Sequence, residues 1–245
     1  MARIYQGDAS PGTHVFVVGV SKYQHFEHGN EPTQRGELFN MPQLSSAARS
    51  ASDFAAWMIN KYRRSDAELA SVRVLLSPSQ DEVIHPDIQV RLQQQADFAA
   101  TRENVERELL AFQRDCDSDT GNVAVVYVAG HGVQLTKTGS IVLLADCGSN
   151  DHAQLLHCAI DMAAVHAGFN HANTAQSQYW FVDACRQRPA IASRFENLNG
   201  ALGLDGPTGS VAESTPMFIA AVTGTQAYGR VNGVTLFNEA LIAGL

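Results

Sequence analysis

The sequence predicts an α/β fold with a mostly parallel central sheet and helices on both of its faces. Three observations predict it. Short runs of β-branched and aromatic residues, at 14–20, 71–76, 122–129, 179–182 and 217–222, are apolar without alternation, as strands covered on both faces must be. Between several of them lie stretches with apolar residues at helical spacing, and strands alternating with helices imply parallel pairing. The chain has 245 residues, 45% hydrophobic and 17% charged, which suits one large α/β domain or two small ones.

Taken in order, residues 1–13 hold Gly7, Ser10, Pro11 and Gly12 and read as a loose lead-in, with the domain proper at 14–245. The first strong strand is 14–20. Residues 21–42 are polar, with prolines and glycines and no apolar period, and are predicted as a long surface loop. Leu44, Ala47, Ala51, Phe54, Ala55 and Met58 fall on one helical face over 44–62. A strand at 71–76 stops at Ser77-Pro78. Residues 79–100 are ambiguous, with a partial helix at 84–92. Thr101 caps a helix running to about Cys116, with Val105, Leu109, Leu110 and Phe112 as its apolar positions. After the 122–129 strand, a hairpin is predicted with its turn at 137–139 and its second arm at 140–145. A short helix follows at 159–169. The 179–182 strand comes next, then a long loop at 186–215 rich in Gly, Ser, Asn and Pro. A last strand at 217–222 and a helix from Thr235 complete the chain. The sequence stops inside or just after that helix, as one domain of a longer product cut at a boundary would.

Composition excludes several functions. A formal net charge of -8 argues against a nucleic-acid or anionic-membrane surface. No run is long and apolar enough for a transmembrane helix, and the N-terminus lacks the apolar core of a signal peptide. The four cysteines form no CxxC pair, which suits unpaired thiols in a reducing, cytoplasmic setting. The nine histidines follow no zinc-binding spacing, so no metal and no cofactor is expected.

The chemistry is expected at two strand ends. The 179–182 strand runs into Asp183-Ala184-Cys185-Arg186, and the 122–129 strand runs into Gly130-His131-Gly132. The carboxyl ends of parallel strands are where open α/β sheets bind ligands. A thiol and an imidazole brought together there make an activated nucleophile with its own acid and base. Cys116, Cys147 and Cys158 lack such a context and read as structural.

A histidine flanked by glycines after one buried strand, and Ala-Cys-Arg after another 54 positions on, resembles the caspase-type cysteine peptidases, whose histidine precedes the cysteine by about 50 residues. The resemblance extends from about residue 14 to 245. Asp183 stands where caspases carry glutamine two places before the cysteine, which is closer to metacaspases and bacterial caspase homologues. The resemblance implies a caspase-like α/β fold, Cys185 as nucleophile and His131 as base and acid. It also implies an oxyanion hole from the Gly132 and Cys185 amides, and an imidazole oriented in some members by a backbone carbonyl instead of a third side chain. It places Asp183 in a pocket for Arg or Lys before the scissile bond. The metacaspase pattern carries a second Asp on the first helix, where this chain has Ser50. Tyr228 and Gly229 fall on the edge along which the substrate is expected to lie as an added strand. The loop after the nucleophile, often cut on activation in the family, offers Arg186, Arg188 and Arg194 as self-processing sites. The expected partners are a protein or peptide substrate and an activating protein, as for bacterial effectors released in defence or stress. Two other readings stay open: a non-catalytic interaction module on the same scaffold, and a cysteine hydrolase acting on something other than protein.

Overall fold

The computed structural model describes residues 2–134, 139–171, 173–185, 200–204, 214–221, 229–230 and 233–245. Among these residues six strands form one sheet in the order β1-β3-β2-β4-β8-β9. They are β1 (Arg3–Gln6), β2 (Gly12–Val20), β3 (Glu68–Ser77), β4 (Val123–Gly130), β8 (Ser177–Ala184) and β9 (Met217–Ile219). Only β1, at one edge, runs antiparallel; every other neighbouring pair is parallel. A second, antiparallel sheet is made of β5 (Gly132–Val133), β6 (Ile141–Leu143) and β7 (Ala159–Asp161).

Two hydrophobic clusters sandwich the large sheet, because successive residues of a strand point to opposite faces. On one face Phe16, Val18, Val126, Val128, Trp180 and Val182 pack under α4 (Arg102–Cys116) and α5 (Met162–Phe169). On the other, Val15, Val17, Val74, Val125, Tyr127 and Phe181 pack under α2 (Ala47–Asn60), α3 (Pro86–Leu92) and α6 (Leu236–Gly244). Both faces of β2, β4 and β8 are therefore dry, which is why these strands read as unbroken apolar runs. The predicted α/β class and the helices on both faces are what the structure has.

Three expectations differ in detail. Residues 1–13, expected as a loose lead-in, contribute β1, and Ala2 is fully buried. A four-residue edge strand needs only a partner with free hydrogen bonds, here β3, and leaves no apolar signature. The helix expected over 159–169 begins three residues late. Ala159–Asp161 is β7, and Asp161 caps α5 by accepting from the Ala163 and Ala164 amides.

Residues 21–42 are the third and most consequential difference. This stretch is not a surface loop. It carries a short helix, α1 (Gln34–Glu37), and Tyr23, Phe26 and Phe39 are sunk in the core. Their rings stack in sequence, Tyr23 on Phe26 at 4.7 Å and Phe26 on Phe39 at 5.3 Å. Thr33 donates to the Gly148 carbonyl and Arg35 to those of His152 and Ala153, which brace the stretch from outside.

A buried ion network ties α4 to β3. Arg73 is almost wholly buried and donates to Glu108 at 2.9 Å and Asp115 at 2.8 Å.

Candidate active site

β2, β4 and β8 run in the same direction, so their carboxyl ends share one rim of the sheet. In the ladder of β4 and β8 the last pair is Gly130 with Ala184. One step beyond it, at the ends of these two neighbouring strands, stand His131 and Cys185. Gly132 then passes directly over the Cys185 backbone. A Cβ at position 132 would collide with the Cys185 carbonyl oxygen, so this close approach requires glycine.

His131 is held from three sides. Its backbone N–H donates to the Tyr23 hydroxyl at 2.7 Å, and its carbonyl accepts from Leu143 at 2.9 Å. Its ring lies against that of Tyr23, with centroids 5.0 Å apart. Nε2 lies 2.6 Å from the Pro42 carbonyl. A carbonyl can only accept, so Nε2 carries the proton and Nδ1 of the neutral ring carries the lone pair. Burial pushes the imidazole below the ordinary histidine value, and the Pro42 bond offsets this only in part. At neutral pH His131 is therefore an uncharged base of fixed tautomer, oriented by a backbone carbonyl.

Pro42 itself is fixed by its neighbours. Gln43 accepts from the Tyr23 amide and donates to the carbonyls of Tyr23 and Glu27, and Leu44 donates to Ser21. Tyr23 and Pro42 are the functional contacts that the sequence reading missed. The available signal was the aromatic spacing Tyr23–Phe26 in a stretch otherwise polar, since two such rings three apart seldom both face water.

Cys185 is half-buried, and none of the four cysteines is in a disulfide. Cys116, Cys147 and Cys158 are buried, and burial pushes all three thiols up, as inert structural cysteines require.

Asp183 follows Phe181 on the α2–α6 face of β8 and is 3% exposed. Its Oδ2 accepts from the Tyr127 hydroxyl at 2.7 Å and from the Thr235 hydroxyl. Its Oδ1 is buried and meets no donor among the described residues. Burial raises the carboxyl above its ordinary value, and the Thr235 and Tyr127 hydroxyls oppose that rise.

Ser50 lies one residue away from this carboxylate through Thr235. Its hydroxyl donates to the Ser46 carbonyl at 2.7 Å, so its single donor is spent within the head of α2, and its oxygen accepts from the Thr235 amide at 2.8 Å, which ties α2 to the start of α6. Gly229 bridges to Thr235 and sits against Ser46 at the head of α2, which puts it beside the same cluster. Tyr228, Arg186, Arg188 and Arg194 lie outside the described residues. Among the described residues there is no group of three or more His, Cys, Asp or Glu side chains that could hold a metal ion. No helix there is long and apolar enough to cross a membrane.

The sequence pattern of the caspase domain matches residues 17–244, nearly the whole chain. Among curated proteins no relative matches it. With the strand order, the shared rim and the domain pattern in agreement, the chain belongs to the caspase-domain family of cysteine peptidases.

Proposed function

We propose that this protein is a cysteine endopeptidase that cleaves after Arg or Lys. The observation that supports the reading is the register of β4 and β8, whose last pair lies one residue before His131 and Cys185, together with the Pro42 carbonyl that meets the imidazole. Cys185 Sγ attacks the carbonyl carbon of the scissile bond while His131 Nδ1 takes the thiol proton. The tetrahedral oxyanion is assigned to the Gly132 and Cys185 amides, and the close passage of Gly132 by the Cys185 carbonyl supports this by setting the two residues against each other. As the C–N bond breaks, His131 returns the proton to the departing amine. Water then attacks the thioester, giving one proton to His131, and the acid product leaves as Cys185 recovers its thiol. A neutral His131 of lowered basicity suits both halves of this cycle.

Asp183 supplies the specificity in this reading. A buried carboxylate oxygen without a donor among the described residues is a costly feature, and a cationic side chain of the substrate offsets the cost. Gly229, beside Ser46 and Thr235, with Tyr228 before it, offers the strand edge for the substrate backbone. The test is hydrolysis of fluorogenic peptides carrying Arg, Lys or Asp before the reporter. Cys185→Ala and His131→Ala are each expected to lose 10³-fold or more, on the order seen when such a pair is broken. Wild-type turnover in either variant contradicts the assignment, and faster cleavage of Asp peptides contradicts the specificity.

Control belongs to the same proposal. An unregulated endopeptidase is toxic, so the protein is read as a latent effector of a bacterial defence or stress pathway, released by a protein partner. Arg186, Arg188 and Arg194 carry the side chain an Asp183 site would select, and Arg194, furthest from the nucleophile, is the expected nick. Mass spectrometry after long incubation of the wild type beside Cys185→Ala reads it. A wild-type chain that stays whole while cleaving peptides rules out self-processing.

A further inference from the structure

Beneath the end of β8, a second buried residue shares the peculiarity of Asp183. Asn238, in the first turn of α6, is 1% exposed. Its backbone N–H donates to the Thr235 hydroxyl at 3.1 Å, and its Nδ2 donates to the Ser50 carbonyl at 3.0 Å. Because that carbonyl only accepts, the amide cannot be turned round, and Oδ1 is committed to the opposite side. There it is buried and meets no donor among the described residues, like Asp183 Oδ1.

The two oxygens belong to one cluster. The Thr235 hydroxyl accepts from the Asn238 backbone and donates to Asp183 Oδ2, so a single atom joins them. The Asn238 and Thr235 side chains both adjoin the Tyr127 phenol that donates to Asp183. A buried acceptor left without a donor is costly, and two in one cluster are not accounted for by packing. What they lack in common is a donor-rich guest. An ammonium brings three N–H donors and a guanidinium five. The described residues provide no cation to this cluster; the nearest basic side chain on the same segment, Arg230, is paired with Glu239 at 3.0 Å.

We propose that Asn238 is a specificity-determining residue that works with Asp183: its Oδ1 is the second acceptor for the cationic side chain before the scissile bond. This rests on the reading of Asp183 as the specificity carboxylate. It also explains how the site manages with serine at position 50, whose hydroxyl is occupied. The second acceptor comes from the last helix, and it is neutral. A site with one charge and one amide oxygen on different elements favours a planar guanidinium, which bridges two acceptors, over an ammonium, which depends on concentrated charge. Arg is therefore preferred to Lys.

The test is kcat/KM for paired Arg and Lys fluorogenic peptides with the wild type, Asn238→Leu and Asn238→Asp. Both substitutions remove the donor to the Ser50 carbonyl, but only Asp keeps an acceptor. Asn238→Leu is expected to lose roughly 10–100-fold on Arg peptides, mainly through KM, the equivalent of one charged hydrogen bond. Asn238→Asp is expected to stay within about threefold of the wild type, with iodoacetamide alkylating Cys185 at the same rate in all three. Equal losses in both variants, or no loss in Asn238→Leu, overturn the inference and leave the Asp183 reading standing. Should Asn238→Leu not fold, the wild-type ratio decides: Arg ahead of Lys by about fivefold or more supports the pair, and equal or inverted rates overturn it. A wild type that cuts neither peptide overturns the Asp183 reading and this inference together.

Discussion

Glu108 and Asp183 are both buried carboxylates, and they are furnished in opposite ways. Glu108, on α4, receives the Arg73 guanidinium at 2.9 Å and that of Arg107 at 3.2 Å. Burial alone would push its carboxyl up, but the Ala2 amide and the two guanidiniums outweigh it and hold it below the ordinary value. Asp183, at the end of β8, receives only the hydroxyls of Tyr127 and Thr235 among the described residues, and burial keeps its carboxyl raised. One carboxylate brings its counter-ion in the same chain. The other is desolvated and left for a cation among the described residues to find, and none does. In the proposed reading, the difference separates a charge that serves the fold from a charge that serves a guest.

The largest effect on stability should come from breaking the paired site. Glu108→Ala leaves Arg73 buried with Asp115 alone, and is expected to cost about 3–5 kcal/mol of unfolding free energy in urea titrations. The folded fraction should keep its ranking of Arg, Lys and Asp peptides. A cost under about 1 kcal/mol would erase the contrast between the two sites.

Asp183→Asn should act in the reverse sense. It removes a buried charge that has no counter-ion among the described residues, and puts a neutral amide where Oδ1 meets no donor among them. A gain on the order of 1 kcal/mol at neutral pH is expected, alongside a loss on basic peptides. Stabilisation joined to lost activity is the signature of a functional carboxylate, and destabilisation of the variant would place Asp183 with Glu108 instead.

A smaller and sharper effect lies in the pH dependence. Glu108 has a folded value below the unfolded 4.5, so its contribution to stability is present above 4.5 and fades as pH falls through the lowered value. Asp183 has a folded value above the unfolded 3.8, so its ionisation costs stability as pH rises from 3.8 through the raised value and is fully felt above it. The deficit of Glu108→Ala should therefore shrink on acidification below 4.5. The gain of Asp183→Asn should disappear as pH falls towards 3.8. Matching pH profiles for the two variants would contradict the account.

The sequence showed the frame of the molecule because burial on both faces writes itself plainly. The runs ending in Ala129 and Val182 could only be covered strands, and the glycines about His131 and the break after Val182 marked where they end. Parts set by distant partners left no local trace. β1 is four residues paired to a strand some 65 positions away, and nothing in Arg3–Gln6 announces that. The carbonyl of Pro42 is a backbone group, which any residue there would supply, so the orienting contact for His131 was expected in kind and not in place. Ser50 was singled out by alignment with a helix pattern, and it meets Asp183 only through Thr235 among the described residues. What no pattern carried is that Thr235 fills the space between them and that Asn238 brings an amide oxygen to the same cluster.

The central claim is that Asp183 awaits a cation from the substrate. The most direct measurement compares two peptides identical except before the scissile bond, where one carries arginine and the other citrulline, its neutral near-isostere. In the wild type the account predicts a ratio of kcat/KM of roughly 30 to 10³ in favour of arginine, the equivalent of about 2–4 kcal/mol for one desolvated charge pair. In Asp183→Asn the same ratio should fall close to unity. A wild type that cleaves both peptides alike, or a preference for arginine that survives in Asp183→Asn, would contradict it.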